Sequence, residues 1–388
     1  MQEIIKRWID KIYPSEEAFF TALNSRKLTI YFGIDPTGSQ LHLGHSTSLL
    51  LLRKLQEMGH RIIILIGDFT AQIGDPTEKS STRQPLTRKQ VKQNYKTYKE
   101  QIRKIFNPEF KFNSKWLEKM NFSDVIKLAS HFTHGQMIKR NMFQERIEKN
   151  QEIYINEFLY PLMQGYDSVA LDADAELGGR DQTFNMLVGR DLQKIYKNKE
   201  KFVITVPLLE NPKTKKKLMS KSEGSFIALN DSSRDMYGKI MALADESIIP
   251  CFRYYTEVPS EEIVKMESSI LTGLNPRDLK AKLACEIVRM YHDEKEADKA
   301  EKEFELMFKD KQVPSDIEEF KAVRESYSIL DLLFESGLAA SKAEAKRLVE
   351  SGGVSVNNTK LNDWKAEVVI EDNLIIQVGK RRFIKVKK

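Results

Sequence analysis

The sequence predicts an α/β fold that runs into an all-helical stretch and ends in a small α+β unit. Three observations carry this. Residues 28–66 run strand, turn, helix, strand, which is a βαβ unit. Residues 233–320 are charged and helical in pattern, punctuated by Pro250, Pro259, Pro276 and Pro314. From about Ser326, two short helical stretches precede four short apolar alternations that read as strands.

Taken in order, residues 3–27 read as a helical lead-in. Leu28 to Ile34 is rich in β-branched and aromatic types and reads as a buried strand. Asp35-Pro36-Thr37-Gly38 is a turn. Leu43 to Met58 has apolar residues dense enough for a packed helix, and Ile62 to Ile66 is a second strand, after which the unit closes in GDFTAQIGDP. Residues 79–104 hold nine Lys or Arg against one acid, Glu100, and their spacing suggests a basic helix. A solvated face explains such a run as readily as an anionic partner does. Residues 114–150 read as helices with Trp116, Leu117 and Phe122 as core candidates, and residues 152–170 as another. AELGGRDQTFNMLVGRDL gives a strand end, a Gly-Gly turn and a helix. FVITVPLL at 202–209 is a strand, followed by the Lys-rich loop NPKTKKKLMSKSEGS. The character changes near Phe226, so the expected divisions are 1–225, 226–325 and 326–388.

Composition narrows the function. At 388 residues the chain exceeds one ordinary domain, and 41% apolar residues support real cores. A net charge of +6 is modest, so any nucleic-acid contact must come from local patches such as Lys380 to Lys388, which has six basic residues and no acid. Two cysteines, Cys251 and Cys285, exclude a disulfide framework and a Cys-rich zinc site and fit a cytoplasmic setting. The amphipathic start lacks a signal-peptide core. No apolar run reaches the length of a membrane span.

Motifs narrow it further. No GxGxxG occurs, so a dinucleotide-binding enzyme is not expected. Gly33 and Gly38 have P-loop spacing, but Ser39-Gln40 follows where Lys-Ser/Thr would be needed. His42 and His45, three residues apart at the helix start, admit three readings: metal ligands, packing residues, or donors to a phosphate held by the free N–H groups and dipole of a helix N-terminus. Gly44 between them allows a flat ligand close to the backbone. Leu218-Met219-Ser220-Lys221-Ser222 sits on a Gly- and Ser-flanked loop that can swing a lysine onto a charged leaving group. Tyr160, Gln164 and Asp167, spaced i, i+4, i+7, put three polar groups on one helix face. Pro161 among them suggests a first turn or a kink.

LHLGH with LMSKS resembles the HIGH and KMSKS signatures of class I aminoacyl-tRNA synthetases. YFGIDPTGSQLHLGH, IGDP, FLYPLMQGYDS and ELGGRDQTFN resemble the bacterial tyrosyl-tRNA synthetases, and residues 326–388 resemble their C-terminal S4-type RNA-binding domain. The resemblance implies a Rossmann-like doubly wound parallel sheet with an inserted dimerisation segment near 100–200, a helical anticodon-side domain and an S4-like unit. It implies ATP-dependent ligation of L-tyrosine to tRNA(Tyr) through tyrosyl-adenylate, with Mg²⁺ travelling with ATP and no resident metal, in a cytoplasmic homodimer without membrane attachment. By the same resemblance, Tyr31 and Asp167 hold the substrate phenol. Asp75, Tyr160 and Gln164 hold its ammonium, and Asp35 and Gln182 complete the pocket. Thr37, His42, His45 and Lys221 are the catalytic contacts. Gly33, Gly44, Gly179, Asp181, Met219, Ser220 and Ser222 join the ATP site, with Lys79 and Arg83 on a mobile loop. On the S4-like unit, Lys342, Lys346 and Arg347 face RNA.

Two positions depart from the pattern. Leu218 stands where the signature has lysine, with Lys215 to Lys217 just before it. Arg180 takes the third place of Gly-Gly-Thr/Ser-Asp-Gln, leaving Gly178, Gly179, Asp181 and Gln182. The alternatives are a nucleotidylyltransferase, a tryptophan-specific synthetase and an inactive RNA-binding relative.

Overall fold

The computed structural model describes residues 2–75, 86–210, 218–219, 226–309, 318–357, 359–379 and 382–387. Contacts divide the chain into two compact units, Met1–Ala297 and Asp298–Lys388.

The lead-in is not one helical stretch. A short helix α1 (Gln2–Lys6) is followed by a strand β1 (Lys11–Tyr13) and then α2 (Glu16–Ser25), whose first turn is capped by the Ser15 hydroxyl accepting from the Ala18 amide. The expected βαβ unit follows as β2 (Thr29–Ile34), α3 (Ser46–Glu57) and β3 (Arg61–Ile66). The described part of the basic stretch is two helices, α4 (Arg88–Tyr95) and α5 (Tyr98–Arg103), and after them comes a strand the sequence reading missed, β4 (Glu109–Phe112). The next segment breaks into four short helices, α6 (Ser114–Leu117), α7 (Phe122–Ala129), α8 (His134–Met137) and α9 (Asn141–Glu148). Then come α10 (Ile155–Leu171), β5 (Ala175–Gly179), α11 (Thr183–Lys197) and β6 (Phe202–Val206). Pro161 lies inside α10, so of the two expected readings, a first turn or a kink, the first turn is excluded. Phe122, expected in the core, is 80% exposed.

These strands form one sheet in the order β1-β6-β5-β2-β3-β4. All neighbours are parallel except β1 with β6, an antiparallel edge. The chain winds outward from β2 in both directions, to β3 and β4 on one side and to β5 and β6 on the other. This is the doubly wound arrangement, and its topological switch point lies between β2 and β5. Ligands of such sheets sit beyond the carboxyl ends of the strands at that point. Buried on both faces, the strands read as near-continuous apolar runs, Ile62–Ile66 above all.

The helical segment comprises α12 (Ser233–Met241), α13 (Ile248–Tyr255), α14 (Ser260–Leu271), α15 (Pro276–Tyr291) and α16 (Glu294–Lys309). Pro276 occupies the first helical position of α15, where a missing N–H costs nothing. Through Ala297 these helices belong to the same unit as the sheet. α3 is the hinge of that packing: Ser46 to Leu52 and Leu55 are buried all round the helix, as for a helix with neighbours on every side. The Ser46 hydroxyl meets Tyr291 Oη at 2.6 Å, and Arg53 and Lys54 both pair with Glu257.

The second unit holds β7 (Glu318–Lys321), β8 (Ser326–Ser328), α17 (Ile329–Glu335), α18 (Lys342–Glu350), β9 (Val354–Val356), β10 (Thr359–Lys360), β11 (Glu367–Val369), β12 (Leu374–Val378) and β13 (Arg382–Lys387). A five-stranded sheet, β10-β9-β12-β13-β7, packs on the two helices around Leu332, Leu333, Val349, Ile376 and Val386. β7 precedes the expected start at Ser326 and lies parallel to β13 at the sheet edge.

Candidate active site

The histidine side of the candidate site is built from the turn after β2. Leu43–His45 is a single 3₁₀ turn, and α3 starts only at Ser46. His42 caps that turn, its Nδ1 accepting from the Gly44 amide at 3.1 Å, while His45 Nδ1 lies 3.2 Å from the His42 amide. The two rings stack obliquely at 4.2 Å. Gly44 is required first for an internal reason: a Cβ there would meet His42 Cε1 at 2.7 Å. Burial lowers the His45 pKa to about 4, so its imidazole is neutral near pH 7 and offers hydrogen bonds, not positive charge. The turn itself is pinned by the inner face of α4 and α5. Asn94 donates to the Pro36 carbonyl, Tyr98 to that of Gly38 and Gln101 to that of Ser39, while Gln101 Oε1 accepts from the Leu41 amide. The basic stretch thus has a structural inner face as well as an exposed cationic one.

The second signature is brought to the first by backbone pairing. The Leu43 amide bonds the Ile227 carbonyl at 3.0 Å, the Leu229 amide bonds Leu41, and His42 bridges Ala228. The Phe226 ring meets His42 edge-on at 5.3 Å, and Met219 Cβ lies 3.7 Å from where a Gly44 Cβ would stand. Met219 within the Lys-rich stretch and Phe226 just after it therefore lie beside the histidine turn. Lys79, Arg83, Lys215 to Lys217, Ser220, Lys221 and Ser222 lie outside the described residues. Leu218 is tied by its amide to the Leu209 carbonyl, and Arg180 pairs with Asp10, which gives that departure a structural partner.

A second cluster, of acids, amides and hydroxyls, lies beside the carboxyl ends of β2 and β5. The Asp35 carboxylate accepts from Thr70 Oγ1 at 2.7 Å and from Tyr160 Oη at 2.9 Å. Gly67 makes room for it, since a Cβ there would fall 1.9 Å from Asp35 Oδ1. Gln182 donates to Asp75 at 2.5 Å. Asn185 ties Gln182 to Gln164, donating to both carbonyl oxygens at 3.0 and 2.9 Å. Asp167 is buried and accepts from Trp116 Nε1 at 2.7 Å and Asn113 Nδ2 at 3.3 Å. Burial pushes its pKa well above the carboxylate range, against the pull of those two donors. Tyr31 is fully buried, with its hydroxyl 2.8 Å from Ser168 Oγ and not on Asp167. Thr37 is half-buried in the turn and Asp181 exposed at the strand end, while Gly179 closes β5 and Gly33 is the last residue but one of β2.

The sequence reading missed the residues behind these: Thr70, Asn113, Ser168, Glu176, Asn185 and Lys201. Glu176 and Lys201 form an ion pair that is buried on both sides. One signal was available, because a Glu in an apolar strand and a Lys at a strand entrance are the residue types least expected inside without each other.

On the second unit Lys342 pairs with Asp331, Lys346 lies 4.1 Å over the Trp364 ring, and Arg347 is exposed. Among the described residues, no group of three or more His, Cys, Asp or Glu is arranged to hold a metal ion, and no helix is long and apolar enough to cross a membrane.

A doubly wound parallel sheet with two histidines on the first strand-to-helix turn, a Lys-rich loop returning to them and an acid- and amide-lined pocket alongside defines a nucleotide-using α/β enzyme of the HIGH-signature class. The chain belongs to the class I tRNA synthetases of the tryptophan and tyrosine group, whose family model matches residues 23–309. Residues 309–386 match the Tyrosine--tRNA ligase SYY-like C-terminal domain. The Tyrosine--tRNA ligase of Carboxydothermus hydrogenoformans is 46% identical, over 99% of this chain and 97% of its own length. That of Thermotoga maritima is 43% identical, over 99% and 96%. Among solved structures, a tyrosyl-tRNA synthetase of Archaeoglobus fulgidus complexed with L-tyrosine has a TM-score of 0.60 at 21% identity, covering 77% of this chain and 98% of that one. A C-terminally truncated mitochondrial tyrosyl-tRNA synthetase of Coccidioides posadasii reaches 0.63 at 24%, covering 77% and 91%. These two likenesses are of fold.

Proposed function

We propose that the chain attaches L-tyrosine to tRNA(Tyr) at the expense of ATP, through tyrosyl-adenylate. The observation that carries this is that a buried acceptor, Asp167, lies near enough to the buried Tyr31 hydroxyl and to Tyr160 for its charge to be felt by both. A phenol suits that place because it both gives and accepts a hydrogen bond, whereas an indole only gives. Full-length relatives named as tyrosine ligases favour tyrosine over tryptophan.

In this reading the tyrosine ammonium lies among Asp75, Tyr160 and Gln164, with Asp35 and Gln182 behind them. Its carboxylate oxygen attacks the α-phosphorus of ATP in line. An O–P bond forms, the bond to the β-phosphate oxygen breaks, and pyrophosphate leaves with its Mg²⁺. The chain supplies position and charge stabilisation, not a covalent nucleophile. Thr37, His42 and His45 meet the phosphates from the turn, with Gly33, Gly44, Gly179 and Asp181 around the nucleotide. Met219 to Ser222, Lys79 and Arg83 close from the loops. A terminal ribose hydroxyl of the tRNA then attacks the tyrosyl carbonyl and AMP departs.

Residues 226–325 would lie toward the anticodon, and Lys342, Lys346 and Arg347 with the basic tail would meet RNA backbone. The protein acts in the cytoplasm as a homodimer through the segment near 100–200. Exposed Phe122, Ile126, Tyr154 and Ile155 on α7 and at the start of α10 support that interface. Phe122→Asp with Ile155→Asp should sediment as a monomer; an unchanged sedimentation coefficient would place the interface elsewhere. The function itself is tested by amino-acid-dependent ATP–pyrophosphate exchange. Exchange with tyrosine and not tryptophan is expected, and no exchange with any amino acid would end the enzyme reading.

A further inference from the structure

We infer that the buried Glu176–Lys201 pair positions both ends of the amino-acid pocket, setting through Ser168 the donor direction of the Tyr31 hydroxyl and through Gln164 which amide atom faces the ligand. This rests on the tyrosine reading of the pocket given above. A buried ion pair contributes little net stability, because desolvation offsets the attraction, so what it orients becomes the question. The two carboxylate oxygens of Glu176 are used in different directions. Oε1 accepts from Gln164 Nε2 at 3.0 Å, and Oε2 takes the Lys201 ammonium and lies 3.4 Å from Ser168 Oγ.

A carboxylate only accepts, so the Gln164 amide must turn its NH₂ toward Glu176. Its carbonyl oxygen then faces the other way, where Asn185 reaches it and where an ammonium would be received. An ammonium only donates, so Ser168 Oγ accepts from Lys201 at 2.8 Å. The single Ser168 proton then follows the shorter of its two remaining contacts, 2.8 Å to Tyr31 against 3.4 Å to Glu176. Tyr31 Oη thereby accepts from Ser168, and its own proton has two acceptors to choose between, the Glu176 carboxylate that it also meets and the oxygen of an incoming phenol. A phenol between Tyr31 and Asp167 receives one hydrogen bond and gives one, a pairing that a phenyl ring lacks.

The helices are built to admit this relay. A Cβ at Gly189 would stand 2.5 Å from Lys201 Nζ and 2.6 Å from Ser168 Oγ, and one at Gly165 would meet the Gly189 amide at 3.1 Å. Two facing glycines let α10 and α11 close over the ammonium.

The test is exchange kinetics on the full chain with two variants, Glu176→Gln/Lys201→Met, which removes both charges at similar volume, and Ser168→Ala, which removes the link from Lys201 to Tyr31 and leaves the Glu176–Lys201 and Glu176–Gln164 contacts. The double variant should raise the KM for tyrosine about 10- to 100-fold with the KM for ATP unchanged, the equivalent of one charge-assisted hydrogen bond. Ser168→Ala should lower discrimination against phenylalanine, again with the KM for ATP unchanged. Wild-type tyrosine KM and wild-type discrimination in both variants would overturn the inference, as would equal rises in the KM of tyrosine and ATP, the mark of general loosening. If circular dichroism finds the double variant unfolded, Ser168→Ala decides alone. Absence of tyrosine-dependent exchange in the unaltered chain would sink the tyrosine reading itself, whereas wild-type behaviour of the variants sinks only the role of the pair.

Discussion

Asp167 sits under conflicting demands. Burial favours its neutral form, while Trp116 and Asn113 aim N–H donors at it and favour the carboxylate. A substrate phenol would add a third donor on the same side. Asp167→Ala should therefore reduce discrimination between tyrosine and phenylalanine about 10- to 100-fold, read from the ratio of their exchange kcat/KM values; an unchanged ratio would refute its phenol role. His45 makes a second residue-scale prediction. Its folded pKa of about 4 lies below the usual 6.5, so the fold holds the neutral ring. The stability this supplies is complete above about pH 6.5 and is lost as pH falls toward about 4, because the unfolded chain binds the proton first. Urea midpoints should decline across that window, and less so in His45→Gln. A decline of equal steepness in both proteins would reject the assignment.

At the scale of elements, the turn between β2 and α3 does not hold itself. It contains Asp35, Thr37, His42 and His45, yet its carbonyls at Pro36, Gly38 and Ser39 are satisfied by α4 and α5. Gln101, buried like Tyr98, is tied to Ser39, Leu41 and Thr97 at once. Gln101→Leu leaves buried backbone groups unpaired and should cost about 1–3 kcal/mol in urea denaturation. It should also raise the KM for ATP while sparing that for tyrosine, since the clamp acts on the phosphate side of the turn. Equal effects on both substrates would mean that the clamp supports the whole pocket.

For the whole molecule, the catalytic signatures lie in the first unit and the paired helices with the basic tail in the second. Because β7 completes the sheet of the second unit, a clean truncation must precede it. A chain ending at Lys309 should keep tyrosine-dependent exchange and lose at least about tenfold in kcat/KM for tRNA charging, the effect of removing a few phosphate contacts. Charging equal to that of the full chain would count against an RNA role for the second unit.

The βαβ unit, the face shared by Tyr160, Gln164 and Asp167, the strand and helix of the Gly-Gly turn, and the order of elements after Ile329 apart from the two-residue β10 were legible in the sequence, because each is written in local periodicity and turn chemistry. So were the family signatures, which depend on short contiguous stretches. The strands β1 and β4 were not legible: they are short edge strands, and only pairing with β6 and β3 makes them strands at all. Phe122 was misplaced because an apolar residue at helical spacing does not say which surface covers it. The pairing of Leu41 to Leu43 with Ile227 to Leu229, and the chain from Tyr31 through Ser168, Lys201 and Glu176 to Gln164, join residues far apart in sequence. Such contacts leave no period to read. The sequence by itself determined the locally periodic elements and the signatures they carry, whereas the tertiary structure decided the edge strands and which polar groups stand behind the signatures, because a buried donor or acceptor is satisfied by whatever the fold brings within about 3 Å.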